Sequence, residues 1–238
     1  MSINMALAVI SGASKGIGKA LAQAFAAEGF NIAINARGKE ALNALSGGLR
    51  EQYPGIEVLA LPVDMSVKDE VLNFCKEVES KIGSPDVVIN NAGVFLPGEI
   101  LAEEDGSLEK MIDTNLYSSY YMTRGFSSSM IERGSGHIFN INSLAALKAY
   151  PGGSSYCISK AAQLAFSRSL REEMKAHQIR VTAILPGATF TDSWDGVDLP
   201  EERFMPAEDI AQSVVDCYKM SDRTVVEEII LRPFEGDL

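Results

Sequence analysis

Residues 7–10 form a short apolar run that ends in a glycine-rich turn, Gly12-Ala13-Ser14-Lys15-Gly16-Ile17-Gly18, and the turn opens directly into a helical pattern. Few folds accept that order of events. A short run that is apolar on both faces reads as a buried parallel strand. Glycines let the chain reverse tightly and start a helix against the strand it has just left. In that helix, expected over 17–28, Ile17, Leu21, Ala24 and Phe25 share one face. The alternation then continues. Further strands are expected over 30–35, 58–63, 87–90, 137–142, 180–185 and 225–231, with helices over 40–52, 67–82, 108–132, 155–177 and 207–218. Strands separated by helices need right-handed crossovers, so the expected fold is α/β. It is a doubly wound parallel sheet of seven strands, covered on both faces. No repeat, low-complexity tract or linker interrupts the pattern, and a single domain over 1–238 is expected. The longest irregular stretch, 188–205, holds the only tryptophan, Trp194, and follows a strand end. That position suits an active-site lid better than a surface excursion.

Composition removes several classes of function. The net charge of −11 leaves no clustered cations for a phosphate backbone, so no nucleic-acid partner is expected. Cys75, Cys157 and Cys217 are odd in number and widely spaced, and they read as reduced thiols; no metal site is expected. The first ten residues lack a basic segment and a small-residue cleavage site, and no apolar run approaches the ~20 residues that cross a bilayer. The expectation is therefore a cytoplasmic protein with no membrane partner.

The glycine turn suits a dinucleotide. Close backbone approach and the free N–H groups of a helix N-terminus favour a pyrophosphate. The spacing, Gly-x-x-x-Gly-x-Gly, is not the commoner Gly-x-Gly-x-x-Gly. The end of the second strand bears on cofactor type. An NAD site needs a carboxylate there for the ribose hydroxyls. The sequence offers Asn35-Ala36-Arg37, with no acid before Glu40. Lys15 and Arg37 would suit a 2′-phosphate, so the expected cofactor is NADP(H). The alternative is two solvated surface cations.

Tyr156 and Lys160 lie four residues apart in an expected helix and so share a face. A tyrosine holds its proton too tightly to be a good acid near neutral pH, and a neighbouring ammonium lowers that barrier. Ser143 follows the fifth expected strand, where it could hold a carbonyl oxygen. Together these groups imply hydride transfer to a carbonyl with Tyr156 as general acid. Cys157 faces another side of the helix and reads as packing. His137 and His177 read as a strand-end and a helix-end residue.

In these motifs the chain resembles the short-chain dehydrogenase/reductase family, whose members have a Rossmann fold. The resemblance rests on Ser11-Gly12-x-x-x-Gly16-x-Gly18, Asp64, Asn90-Asn91-Ala92-Gly93, Asn115, Ser143, Tyr156, Lys160, Pro186-Gly187 and Thr191, in that order. Ser11 stands where threonine is commoner. The resemblance implies a catalytic tetrad of Asn115, Ser143, Tyr156 and Lys160. Lys160 would also bind the nicotinamide ribose, and Asn115 would hold a relay water. Cofactor contacts would come from Gly12, Ser14, Lys15, Gly16, Ile17, Gly18, Arg37, Asp64, Asn91, Ala92, Gly93, Tyr156, Lys160, Pro186, Gly187, Thr189 and Thr191. Ser143, Leu144, Tyr150, Phe190 and Trp194 would face the substrate, which suits a small apolar or aromatic carbonyl. The segment from Pro186 to Trp194, with that from Arg223 to Pro233, resembles bacterial sepiapterin reductase-like and 3-oxoacyl-(acyl carrier protein) reductase-like members. A pterin substrate is the first expectation. Acyl-carrier thioesters, with Arg124, Arg133 and Arg168 as a local basic patch, are an alternative. A non-catalytic NADPH-binding sensor is another. Family members also imply a homodimer or homotetramer.

Overall fold

The computed structural model describes residues 5–194 and 196–238. Seven strands are found among them: β1 (Leu7–Ile10), β2 (Asn31–Ala36), β3 (Val58–Pro62), β4 (Val87–Asn90), β5 (Gly136–Ile141), β6 (Ile179–Pro186) and β7 (Glu228–Leu231). They form one sheet in the order β3-β2-β1-β4-β5-β6-β7, with every neighbouring pair parallel. The order reverses direction between β1 and β4. In such sheets a crevice opens there, at the carboxyl ends of the strands.

The period of two in each strand builds two cores at once. Leu7 and Val9 of β1 pack with Phe74, Phe126 and Met130 on one face, beneath α3 (Lys68–Lys81) and α5 (Ser118–Arg133). Ala8 and Ile10 point the other way, to Leu21, Phe25 and Val214 beneath α1 (Gly16–Ala27), α2 (Lys39–Gln52) and α7 (Ala207–Tyr218). A strand buried on both sides has no place for a charged residue, which is why β1 reads as an unbroken apolar run.

Three elements differ by more than one residue from the sequence expectation. The helix expected over 108–132 is divided into α4 (Ser107–Ile112), a π-helical turn (Asp113–Tyr117) and α5. Hydrophobic spacing carries no mark of one residue of extra winding. The helix expected over 155–177 is α6 (Ser154–Met174), followed by a 3₁₀ turn (Lys175–His177). The last strand begins at Glu228, not at residue 225. The Val226 carbonyl just before it accepts from the Thr182 hydroxyl at 2.6 Å, so a side chain meets it where a ladder partner would.

His137 of β5 is buried against Phe139, ring centres 3.8 Å apart. Its Nε2 lies 2.8 Å from Thr182 Oγ1. The single Thr182 hydroxyl proton goes to Val226 O, so Nε2 carries the imidazole proton and Nδ1 is a bare acceptor. Nδ1 has no partner among the described residues. Burial, with Arg180 nearby, holds the imidazole well below its usual 6.5, and it stays neutral in the fold. The unfolded chain takes up this proton as pH falls through 6.5, so folding stability is lost in that direction. Chemical denaturation at stepped pH is expected to show a loss below that point of up to ~1.4 kcal/mol per pH unit from this group. A His137→Leu variant should lack that component.

Candidate active site

The carboxyl ends of the strands surround one cavity of about 720 Å³. Its floor on one side is the turn after β1. Gly12 has φ +65°, and a Cβ there would come within 2.9 Å of Ala92 Cα. A Cβ on Gly18 would meet Asn91 Nδ2 at 2.5 Å and the Gly12 carbonyl closer still. The glycines are required because the turn after β4 packs directly onto the turn after β1. Ser11 joins the two. Its hydroxyl accepts from the Asn91 and Ala92 amides, both at 3.0 Å, and donates to Ile89 O at 3.4 Å. Asn91 Nδ2 also donates to Ser11 O at 2.9 Å and Gly12 O at 3.0 Å.

Ser14, Lys15, Gly16, Ile17, Arg37, Asp64, Gly93, Pro186, Gly187, Thr189 and Thr191 also line this cavity, so the residues expected around a cofactor are brought together. Burial pushes the Asp64 carboxyl up, but the Ser66 hydroxyl and amide, Arg37 and Lys110 outweigh it and hold the acid below its ordinary value. Lys15 is paired with Asp192 at 2.7 Å. That pair draws the 188–205 segment over the glycine turn. The segment closes on itself through Phe190 N to Met205 O at 2.8 Å and Met205 N to Ala188 O at 3.0 Å.

At the other end, Ser143, Leu144, Tyr150, Tyr156, Lys160 and Trp194 line the same space. Two expected residues do not. Phe190 is turned outward, 46% exposed. Neighbouring side chains alternate along the extended bridge to Met205, so with Thr189 buried, Phe190 faces solvent beside Phe204. Asn115 lies behind Gly93, in the π turn. Its Oδ1 accepts from Val94 N at 2.7 Å, and its Nδ2 donates to Val94 O at 3.0 Å and Ser159 Oγ at 2.8 Å. The side chain ties the loop after β4 to α6. Phe95, Arg232 and Asp237 also line the cavity and were not anticipated. Phe95 packs edge-on to Tyr156, ring centres 5.2 Å apart. It lies two residues past Gly93, close enough to the motif to have been considered.

The electrostatics also depart from expectation. Burial pushes the Tyr156 phenol above its usual 10, opposed by a hydrogen bond with Ser143. Burial also pulls the Lys160 ammonium down to about 7. The amine sits 5.9 Å from the Tyr156 ring centre and donates to Ile141 O and Gln163 Oε1, both at 3.0 Å. The cation is therefore held behind the phenol, and desolvation of the ring dominates.

A family model described as short chain dehydrogenase matches residues 6–201. The chain belongs to this family. It is 35% identical over 240 residues to a sepiapterin reductase of Chlorobaculum tepidum, covering 97% of each. It is 31% identical over 218 residues to a 3-oxoacyl-[acyl-carrier-protein] reductase of Staphylococcus aureus, covering 87% of this chain and 88% of that one. In three dimensions it is similar to an alcohol dehydrogenase from Thermococcus sibiricus, solved with 5-hydroxy-NADP, with TM-score 0.90 and 29% identity over 98% of this chain and 99% of that one.

Gly18→Ala is expected to cost ~1–3 kcal/mol of folding stability, because the contacts it would meet are backbone and a pinned amide. Chemical denaturation measures this.

Proposed function

We propose that the chain is an NADP(H)-dependent reductase of small carbonyl compounds. One observation carries the reading: the glycine cradle with its two cations and the Ser143–Tyr156–Lys160 group open into the same cavity. The residues fit the cofactor. The cradle excludes a Cβ at Gly12 and Gly18, the α1 N-terminus faces the cavity, and Lys15 and Arg37 suit a 2′-phosphate. The bound nicotinamide supplies a hydride to the carbonyl carbon.

The protein supplies the rest. Ser143 holds the carbonyl oxygen and Tyr156 donates a proton to it. Phe95, Leu144, Tyr150 and Trp194 exclude water and offer an apolar wall. The Lys160 ammonium stabilises the phenolate as it forms and, being poised near neutral, can return a proton to it. Asn115 keeps Gly93 and α6 in register beneath this group.

The likeness to a sepiapterin reductase and the aromatic wall support a pterin such as sepiapterin as substrate. An acyl-carrier thioester fits less well. Arg133 is taken up by Asp86 and the Pro85 carbonyl, Arg168 by Glu228, and none of the three arginines lines the cavity. We read the exposed Tyr117, Tyr120 and Ile158 on the helices flanking the sheet as the contact of a homodimer or homotetramer.

The test is NADPH oxidation against a carbonyl panel that includes sepiapterin and an acetoacetyl thioester. Turnover with at least one member is expected. Binding of NADPH with silence across the panel would favour a sensor. Tyr156→Phe is expected to lower the rate by ~10²–10⁴ while NADPH still binds. Arg37→Asp should reverse the cofactor ratio, because it removes a phosphate partner and adds an acceptor for ribose hydroxyls. The ratio of kcat/KM for NADPH and NADH measures it.

A further inference from the structure

Gln163 lies one helical turn beyond Lys160 and is fully buried, with 0% exposure. A buried amide needs partners for both ends. Its Oε1 accepts from Lys160 Nζ at 3.0 Å, and its Nε2 donates to Ser119 Oγ at 2.9 Å. Ser119 Oγ in turn donates to the Asn115 carbonyl at 3.4 Å. The Gln163 backbone carbonyl accepts from Ser167 Oγ at 2.9 Å, and Ser167 accepts from Asn140 Nδ2 at 2.8 Å. Both ends of the residue are thus fixed by α5, α6 and β5, and the amide cannot turn over without losing a partner.

The consequence falls on Lys160. An ammonium can only donate. It is given two fixed acceptors, the Ile141 carbonyl and Gln163 Oε1, and neither carries charge. Among the described residues no carboxylate pairs with it, and its lowered affinity for a proton has burial as its cause. The titratable group facing it is Tyr156 on α6, with Tyr150 and Cys157 beside that phenol. The elements opposite present only neutral groups: Ile141 of β5, Gly93 after β4, and Asn115 and Ser119 of the π turn and α5.

We propose that Gln163 is a positioning residue that acts through Lys160: its carbonyl holds the amine behind Tyr156 and sets how readily that amine keeps its proton. This rests on the reductase reading above. A carboxylate in its place would hold the ammonium more tightly and cancel the charge that Tyr156 needs. An apolar residue would leave the amine with one protein acceptor and favour its neutral form. A neutral acceptor lies between the two. It keeps the proton available near neutral pH and leaves the cation's field directed at the phenol.

The experiment titrates Lys160 directly in cofactor-free protein. With isotope-labelled lysine, its Cε resonance is followed against pH and assigned by its loss in Lys160→Met. The wild-type midpoint is expected near about 7. Gln163→Met, similar in length but with no oxygen, is expected to lower it by about one unit, since a hydrogen bond to the charged form is removed. The ammonium fraction at neutral pH then falls about fivefold. Gln163→Glu is expected to raise the midpoint by at least as much, because a charge is added beside the ammonium. The alkaline limb of kcat/KM for reduction should move in the same two directions, with NADPH affinity within about threefold of wild type. A midpoint unchanged in both folded variants overturns the proposal. If Gln163→Met does not fold, Gln163→Glu decides alone, and no upward shift overturns it. Absence of wild-type turnover would instead sink the reductase reading, and the resonance titration would still judge Gln163.

Discussion

A buried amine governs the architecture of this cavity. Removing an ammonium from water is expensive, and proteins usually offset the cost with a carboxylate. Here Lys160 is 3% exposed, and its partners are a strand carbonyl and a glutamine. Neutral acceptors compensate only in part, so the proton is held loosely. Such a group stays in place only if the acceptors cannot move. The surroundings meet that condition with a run of buried side chains. Asn90 Nδ2 bonds Asn140 Oδ1 at 2.7 Å and Thr123 Oγ1 at 3.1 Å, Asn140 bonds Ser167, and Ser167 bonds the backbone of Gln163. This chain of amides and hydroxyls crosses from β4 to α6 through what would otherwise be apolar core. A partly satisfied network would be worse than none, and nearly every member here has its partner.

The second constraint is the contact between the turns after β1 and β4. Adjacent parallel strands leave these turns side by side at the point where strand order reverses. Asn91 donates across the gap twice, from its backbone N–H to the Ser11 hydroxyl and from its side-chain amide to the Ser11 carbonyl. Threonine could supply the same hydroxyl, and serine suffices because only the hydroxyl group is used. The clamp leaves no volume for side chains at Gly12 and Gly18, and this couples the cradle for one ligand to the loop that carries Gly93. Gly93 in turn lies against both Asn115 and Lys160. The two halves of the cavity are therefore one structure.

The sequence carried the fold almost completely, because strands buried on both faces and helices with one apolar face leave different periods. It carried the site in proportion to how local each cause was. Tyr156 and Lys160 are one turn apart on a helix, and the glycines follow a strand directly, so each pair is positioned by its own segment. Phe190 was misplaced because its direction depends on a bridge to Met205, which no local pattern announces. The π turn at Asn115 was invisible because apolar spacing tolerates one displaced residue. The loosely held proton on Lys160 was missed for a different reason. It follows from burial, and a four-residue spacing says which groups share a face but not how much water they lose. Gln163 belongs to the same class: its meaning comes from Ser119, which is far from it in sequence.

One exposed contact joins the segment after β6 to the glycine turn. Lys15 and Asp192 form an ion pair at 2.7 Å, with side chains 65% and 45% exposed. Exposed pairs contribute ~0–1 kcal/mol. That is little beside the backbone hydrogen bonds among Ala188, Phe190 and Met205 and the burial of Phe204 and Met205, which fix the ends of this segment. The hydrogen bond from Lys15 holds the Asp192 carboxyl below its ordinary range. The cavity thus pairs a floor fixed by buried hydrogen bonds with a roof held chiefly by its own backbone bridge and the burial of Phe204 and Met205.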